Sequence, residues 1–190
     1  LPFMGYKEAE FFGVPSRIFR ISFSGELAYE INVKSDHGMF MWEKMMELGK
    51  EFGNQPYGTE ALSTLRIEMG HVAGPELDGR TIPSDVSLNG LVSKKKDFIG
   101  KNSLGREAFN VESRQKIVGL IPIDRKSSIP EGSHIVQDQN AKLPNPKLGH
   151  VSSSCWSVEN NNPFSLAIMK DGKNMIAVSY THLTLPTKNE

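Results

Sequence analysis

Three short stretches combine residue types that can do chemistry. In Ser24–Ile31 (SGELAYEI) a Gly-containing turn puts Glu26 at a hairpin tip and Glu30 on the less apolar face of the strand that follows. An ionised carboxylate at Glu30 can pair with two adjacent N–H donors on the edge of a flat heterocycle such as a pterin or a guanine, a strong and directional contact. It can equally face solvent opposite Arg20 across the hairpin, in a cross-strand pair worth under about 1 kcal/mol. In Leu65–His71 (LRIEMGH) Arg66 and His71 flank a helix C-terminus, where the dipole favours positive charge. Capping alone accounts for both, and ligand binding by Arg66 is the sharper reading. In Ser93–Lys101 (SKKKDFIGK) four lysines fall within nine residues. That run is either a solvated basic loop or a seat for a poly-acidic ligand tail, with Lys95 as the candidate contact.

Other chemistries lack the residues they need. The single cysteine, Cys155, can form no internal disulfide, and the five histidines (37, 71, 134, 150 and 182) show no metal-binding spacing, so no metal site is expected. His134 and His150 read as ordinary strand residues, and Cys155 beside Trp156 reads as a packed thiol. No G-x-S-x-G, P-loop or G-x-G-x-x-G pattern occurs, which removes support for nucleotide binding within this chain. The 22 basic and 22 acidic side chains of the 190 residues cancel, which argues against a nucleic-acid partner. No apolar run approaches the roughly 18 residues of a membrane helix, and no signal peptide opens the chain. No membrane association and a cytoplasmic location are therefore expected.

The elements that must position these residues follow from periodicity. Alternation over Arg17–Phe23 and again over Ala28–Val33 predicts a hairpin turning through Ser24–Leu27. A helix is expected from Ser35, as N-cap, to Phe52, with Phe40, Met41, Met45, Leu48 and Phe52 as a core stripe, and a second from Thr59 to Met69 bearing Leu62, Leu65 and Met69. Between Gly70 and Lys116 turn signals dominate, with short helices near Ser84–Leu88 and Lys101–Phe109. β-rich segments then recur at 116–123, 133–137, 147–156, 164–170 and 174–178, at the spacing of a small barrel or sandwich.

Neither end reads as a natural terminus. The opening LPFMGYKEAEFFGVPSRIFRISF reads as the middle of a domain, so further N-terminal sequence is expected. Val178–Thr187 (VSYTHLTLPT) resembles the translation of a sequencing-library adaptor, and 178–190 is expected to be a non-native tail, although VSYTHLTL also alternates as a final strand would.

The motifs RIFRISFSGELAYEINV, YGTEALSTLRIEMGHVAGPELDGRT, LVSKKKDFIGK and LGHVSSS follow one another in an order characteristic of one group of folate-binding proteins. On these residues Leu1 to Ala177 resembles the C-terminal region of the α subunits of heterotetrameric sarcosine oxidases, which is similar to the glycine cleavage T-protein, an aminomethyltransferase. The resemblance implies an α+β fold: residues 1–115 as the later part of a folate-binding aminomethyltransferase-like domain, and 116–177 as a truncated C-terminal β-barrel domain. It implies an enzyme segment that binds tetrahydrofolate and the sarcosine-derived imine and forms 5,10-methylenetetrahydrofolate, while the whole oxidase also yields glycine and hydrogen peroxide. FAD, FMN and NAD would belong to other regions or to the β, γ and δ subunits, and the isolated fragment would be inactive. Glu30 matches the glutamate that holds the folate pterin; Phe23 and Leu62 stand where the T-protein motif has Tyr and a folate-contacting Arg. Related readings are a dimethylglycine or sarcosine dehydrogenase tail, a T-protein, or a folate-dependent accessory protein of iron–sulfur assembly. The last group is expected to carry K-G-C-[YF]-x-G-Q-E where this chain has KKDFIGKN.

Overall fold

The structure is a computed structural model that describes residues 1–142, 144–172 and the backbone of 183–184. It divides into two compact units, Leu1–Met69 and Gly70–Glu190. The sequence reading divides the chain at 115/116 instead.

In the first unit β1 (Tyr6–Phe11), β2 (Val14–Phe19) and β3 (Glu30–Asn32) form an antiparallel sheet in that order. β1 and β2 are joined by a two-residue turn in which Phe12 (φ 52) and Gly13 (φ 79) are both left-handed. Positive φ at both positions is what a type I′ hairpin requires. Periodicity missed β1, because Phe-Gly is not the Asn-Gly or Asp-Gly pair that advertises this turn. β2 and β3 are the two halves of the expected hairpin, but shorter and in a different register: Phe19 lies opposite Glu30, and Arg20 has left the β2–β3 ladder. The Arg20 backbone bonds instead to Gly5 and Met4, and its guanidinium donates to the Leu1 carbonyl at 2.8 Å. The residues between Phe19 and Glu30 form a longer connection in place of the expected four-residue turn.

The first expected helix exists, as a 3-10 turn at Ser35–His37, α1 (Gly38–Gly49) and a further 3-10 turn at Lys50–Phe52. Ser35 lies inside the first turn, whose cap is Lys34, so it is not the N-cap. Of the apolar stripe only Met41 is buried; Leu48 and Phe52 are exposed, Phe52 to 81%. α2 (Thr59–Glu68) matches its predicted span, yet it buries Arg66 and Ile67 while Met69 is exposed.

The second unit opens with 3-10 turns at Gly74–Glu76, Pro83–Val86 and Asn89–Leu91, then α3 (Lys101–Leu104) and a 3-10 turn at Glu107–Phe109. Five antiparallel strands follow: β4 (Gln115–Leu120), β5 (His134–Val136), β6 (Lys147–Ser157), β7 (Asn162–Lys170) and β8 (Leu183–Thr184), in the order β4-β7-β6-β5-β8. Four of the expected strands are present. The fifth expectation, 174–178, lies outside the described residues, as do 178–182 and 185–190 of the proposed tail. β8 pairs with β5 through His134↔Thr184 and Ile135↔Leu183.

The small β-barrel expected from the sequence is not found. Among the described residues this is an open sheet, because a barrel needs its two edge strands bonded and β4 and β8 remain at opposite edges. One face packs Leu120, Ile129, Ile135, Val151, Ala167 and Met169 into a core. Gly149, from the LGHVSSS motif, is required where β6 crosses β7: a Cβ there would lie 2.3 Å from the Ile168 carbonyl oxygen.

Candidate functional site

Glu30 opens β3 and is exposed. Directly paired residues of antiparallel strands share a sheet face. The register Tyr6↔Phe19 and Phe19↔Glu30 therefore sets the Glu30 carboxylate on the face that carries both rings. Those rings stack, with centroids 5.7 Å apart and planes 23° from parallel. Tyr6 is 65% exposed, so aromatic surface and an acceptor-only carboxylate lie side by side on one open face. The Arg20 partner that the solvent-facing reading supplied for Glu30 is not opposite it. Sequence reasoning missed Tyr6 and Phe19, because their relation to Glu30 depends on a register shifted by one residue and on a strand that periodicity had not marked.

Arg66, the second candidate, is 5% exposed near the end of α2. A guanidinium buried to that degree serves the interior of the fold and is poorly placed to meet a ligand arriving from solvent. Phe23 is 39% exposed and Leu62 half-buried.

Lys95, the third, belongs to the second unit. The Ser93 hydroxyl accepts the Lys95 and Lys96 backbone N–H groups at 3.3 and 3.0 Å, a local turn that fixes the start of the lysine run. Lys101 pairs with Asp97 at 2.8 Å, whereas the ammonium groups of Lys94, Lys95 and Lys96 are exposed and have no partner among the described residues. A polyanion would meet three uncommitted cations there.

The GPELDGRT segment anchors the sheet. The Glu76 carboxylate, 1% exposed, accepts the Ala73 N–H at 2.9 Å and the Ser153 hydroxyl at 2.5 Å, joining this motif to LGHVSSS. Asp85 pairs with Arg114 and lies 3.5 Å from Lys116. Burial works to raise the Asp85 carboxyl, but hydrogen bonds from Arg114 and the Ile82 N–H, with the charges of Arg114 and Lys116, hold it below the ordinary aspartate value. Nearby, Arg80 and its backbone N–H hold the exposed Asp78 down to about 2. No group of three or more His, Cys, Asp or Glu that could hold a metal occurs among the described residues, and no described helix is long and apolar enough to cross a membrane.

Residues 1–96 match the family described as GCVT N-terminal domain. The chain is 40% identical to the sarcosine oxidase subunit alpha of Rhizobium meliloti (strain 1021) over 176 residues, which is 91% of this chain and 18% of that protein. It is 41% identical over 86% of its length to the subunit of the same name from Corynebacterium sp. (strain P-1), covering 17% of it. The aminomethyltransferase of Chloroherpeton thalassium (strain ATCC 35110 / GB-78) is 31% identical over 83% of this chain and 42% of its own length. Among solved structures, the glycine cleavage system aminomethyltransferase T of Bartonella henselae superposes with a TM-score of 0.69 at 24% identity, over 90% of this chain and 45% of that one. The chain thus spans under a fifth of the sarcosine oxidase subunits it matches.

Proposed function

The chain belongs to the family of the GCVT N-terminal domain, and from that premise we propose that it is the tetrahydrofolate-binding, one-carbon-transfer segment of a sarcosine oxidase α subunit. The observation that carries the reading is Glu30: an exposed carboxylate beside the Tyr6–Phe19 ring pair, on one sheet face. A pterin offers a flat surface and adjacent N–H donors at its edge. Ring contact and a two-point hydrogen bond to Glu30 suit it together, and neither suffices alone.

When bound, tetrahydrofolate supplies the acceptor for the one-carbon unit. The chain's own residues would orient it: Glu30 accepts the two N–H groups, and Tyr6 and Phe19 exclude water from one ring face. Arg66, buried near the end of α2, is not one of these contacts. In the whole enzyme this step would follow oxidation of sarcosine and capture its imine as 5,10-methylenetetrahydrofolate, with glycine and hydrogen peroxide as the other products. Among the described residues both sheets are antiparallel, and the sequence has no glycine-rich dinucleotide turn, which supports assigning the flavins and NAD to other parts of the enzyme. They would reside elsewhere in the α subunit or on the β, γ and δ subunits.

Titration of the chain with tetrahydrofolate, followed by tryptophan fluorescence, tests the assignment. Glu30→Gln should weaken binding by about 1–3 kcal/mol, and Tyr6→Ala by about 1 kcal/mol. Saturable binding that ignores both changes would move the pterin away from this face. No binding by either the chain or a subunit containing it would end the folate reading. A second reading is a stand-alone aminomethyltransferase, since the Chloroherpeton protein of that name is 31% identical over 83% of this chain. Association with further oxidase subunits separates the two.

A further inference from the structure

The second unit has a cavity of about 300 Å³ on the face of its sheet away from the core: Ile168 and Lys170 line it, while Ala167 and Met169, alternating with them on β7, pack inward. Its far wall is the GPELDGRT segment, a motif the proposed folate contacts leave unused.

The charged groups of that wall are spent on one another. Asp78 is bound by Arg80, Asp85 by Arg114, and Glu76 by Ser153 and the Ala73 N–H. The sheet side is different. Lys170, Gln115 and His150 sit on three adjacent strands, with Gln115 directly opposite Lys170 and His150 opposite Ile168, two residues from Lys170. Among the described residues none of these three side chains has a hydrogen bond or ion pair, and the His150 Nδ1 is buried without a partner. A buried polar atom left unmet costs about 1–3 kcal/mol, so the unmet His150 Nδ1, beside the exposed and uncommitted Lys170 and Gln115 in one concavity, points to a receptor surface rather than to packing.

We propose that this cavity binds a small monocarboxylate, with the Lys170 ammonium and the Gln115 amide on its oxygens and the His150 imidazole on a neighbouring polar group of the ligand. The uncommitted charge in the cavity is Lys170, and every carboxylate of the lining is already paired, so a single negative charge is accommodated. A dianion such as phosphate would set its second charge against Glu76, Asp78 and Asp85. Burial is the largest cause that pushes the His150 imidazole down from its ordinary value, helped by Lys147 on its own strand, Arg80 on the wall and His134 on β5; Asp78 on the wall opposes them without reversing the direction, which favours the neutral ring at pH 7. A neutral ring accepts or donates without opposing the lysine.

The test is titration of the full chain with acetate, glycolate and inorganic phosphate, followed by the ring Cε1–H signal of His150, assigned by its loss in His150→Gln. Glycolate should shift that signal saturably, acetate more weakly, and phosphate least. Lys170→Gln, at an exposed strand end, should weaken glycolate binding by about tenfold. Gln115→Ala, also exposed, should weaken it less, which provides a second variant should the first be poorly folded. No saturable shift at about 50 mM carboxylate, far above the 1 mM that corresponds to roughly −4 kcal/mol, would overturn the proposal. So would equal binding by Lys170→Gln, or phosphate binding tighter than either carboxylate.

Discussion

Glu76 and Ser153 are 77 positions apart in sequence and 2.5 Å apart in space. Both are essentially excluded from water, so the hydroxyl supplies a donor that solvent cannot replace. Ser153→Ala should destabilise the chain by about 1.5–3 kcal/mol, read as a lower urea midpoint with an unchanged slope. Glu30 is the opposite case. It is exposed, so Glu30→Gln should alter the unfolding free energy read from urea titration by no more than about 0.5 kcal/mol while weakening folate binding, which separates a binding role from a structural one. The carboxylate was legible as a candidate from SGELAYEI alone. Its aromatic neighbours were not, since Tyr6 and Phe19 become neighbours of Glu30 only through strand register.

At the scale of elements, two short stretches decide local geometry. The β1–β2 turn holds Phe12 at φ 52, a conformation that costs a bulky side chain more than it costs asparagine. Phe12→Asn should raise stability by about 0.5–1 kcal/mol, seen as a higher thermal midpoint; a fall would mean that the half-exposed ring contributes packing. Gly149 has no such latitude. Its Cβ site is occupied by backbone of β7, which cannot rotate away as a side chain can, so Gly149→Ala should cost about 1–3 kcal/mol and expose β6 amides to hydrogen exchange. The α1 stripe shows why periodicity misled. A 3.6-residue pattern identifies the apolar face of a helix, but burial needs a partner surface, and in the described residues Phe40, Leu48 and Phe52 remain open to solvent.

For the chain as a whole, acid should be the weak side of stability. The Asp85 carboxyl is held below its ordinary value of 3.8, so the unfolded chain takes up that proton first as pH falls. Its stabilisation is fully present above pH 3.8 and is lost as pH drops through the lower folded value. Urea midpoints across that window should fall with pH, and Asp85→Asn should flatten the decline; an unchanged slope would place the acid sensitivity elsewhere. The amino-acid sequence by itself determined the α+β class, both helix spans, four of the strands of the second sheet, the family and the Glu30 candidate, because these rest on periodicity, turn chemistry and local motifs that act over a few residues. Only tertiary structure decided the β2–β3 register, the open second sheet, the burial of Arg66 and the joining of GPELDGRT to LGHVSSS. Each of these depends on which backbone lies opposite which across long sequence separations, and pairing of that kind is set by packing and hydrogen bonding rather than by local preference.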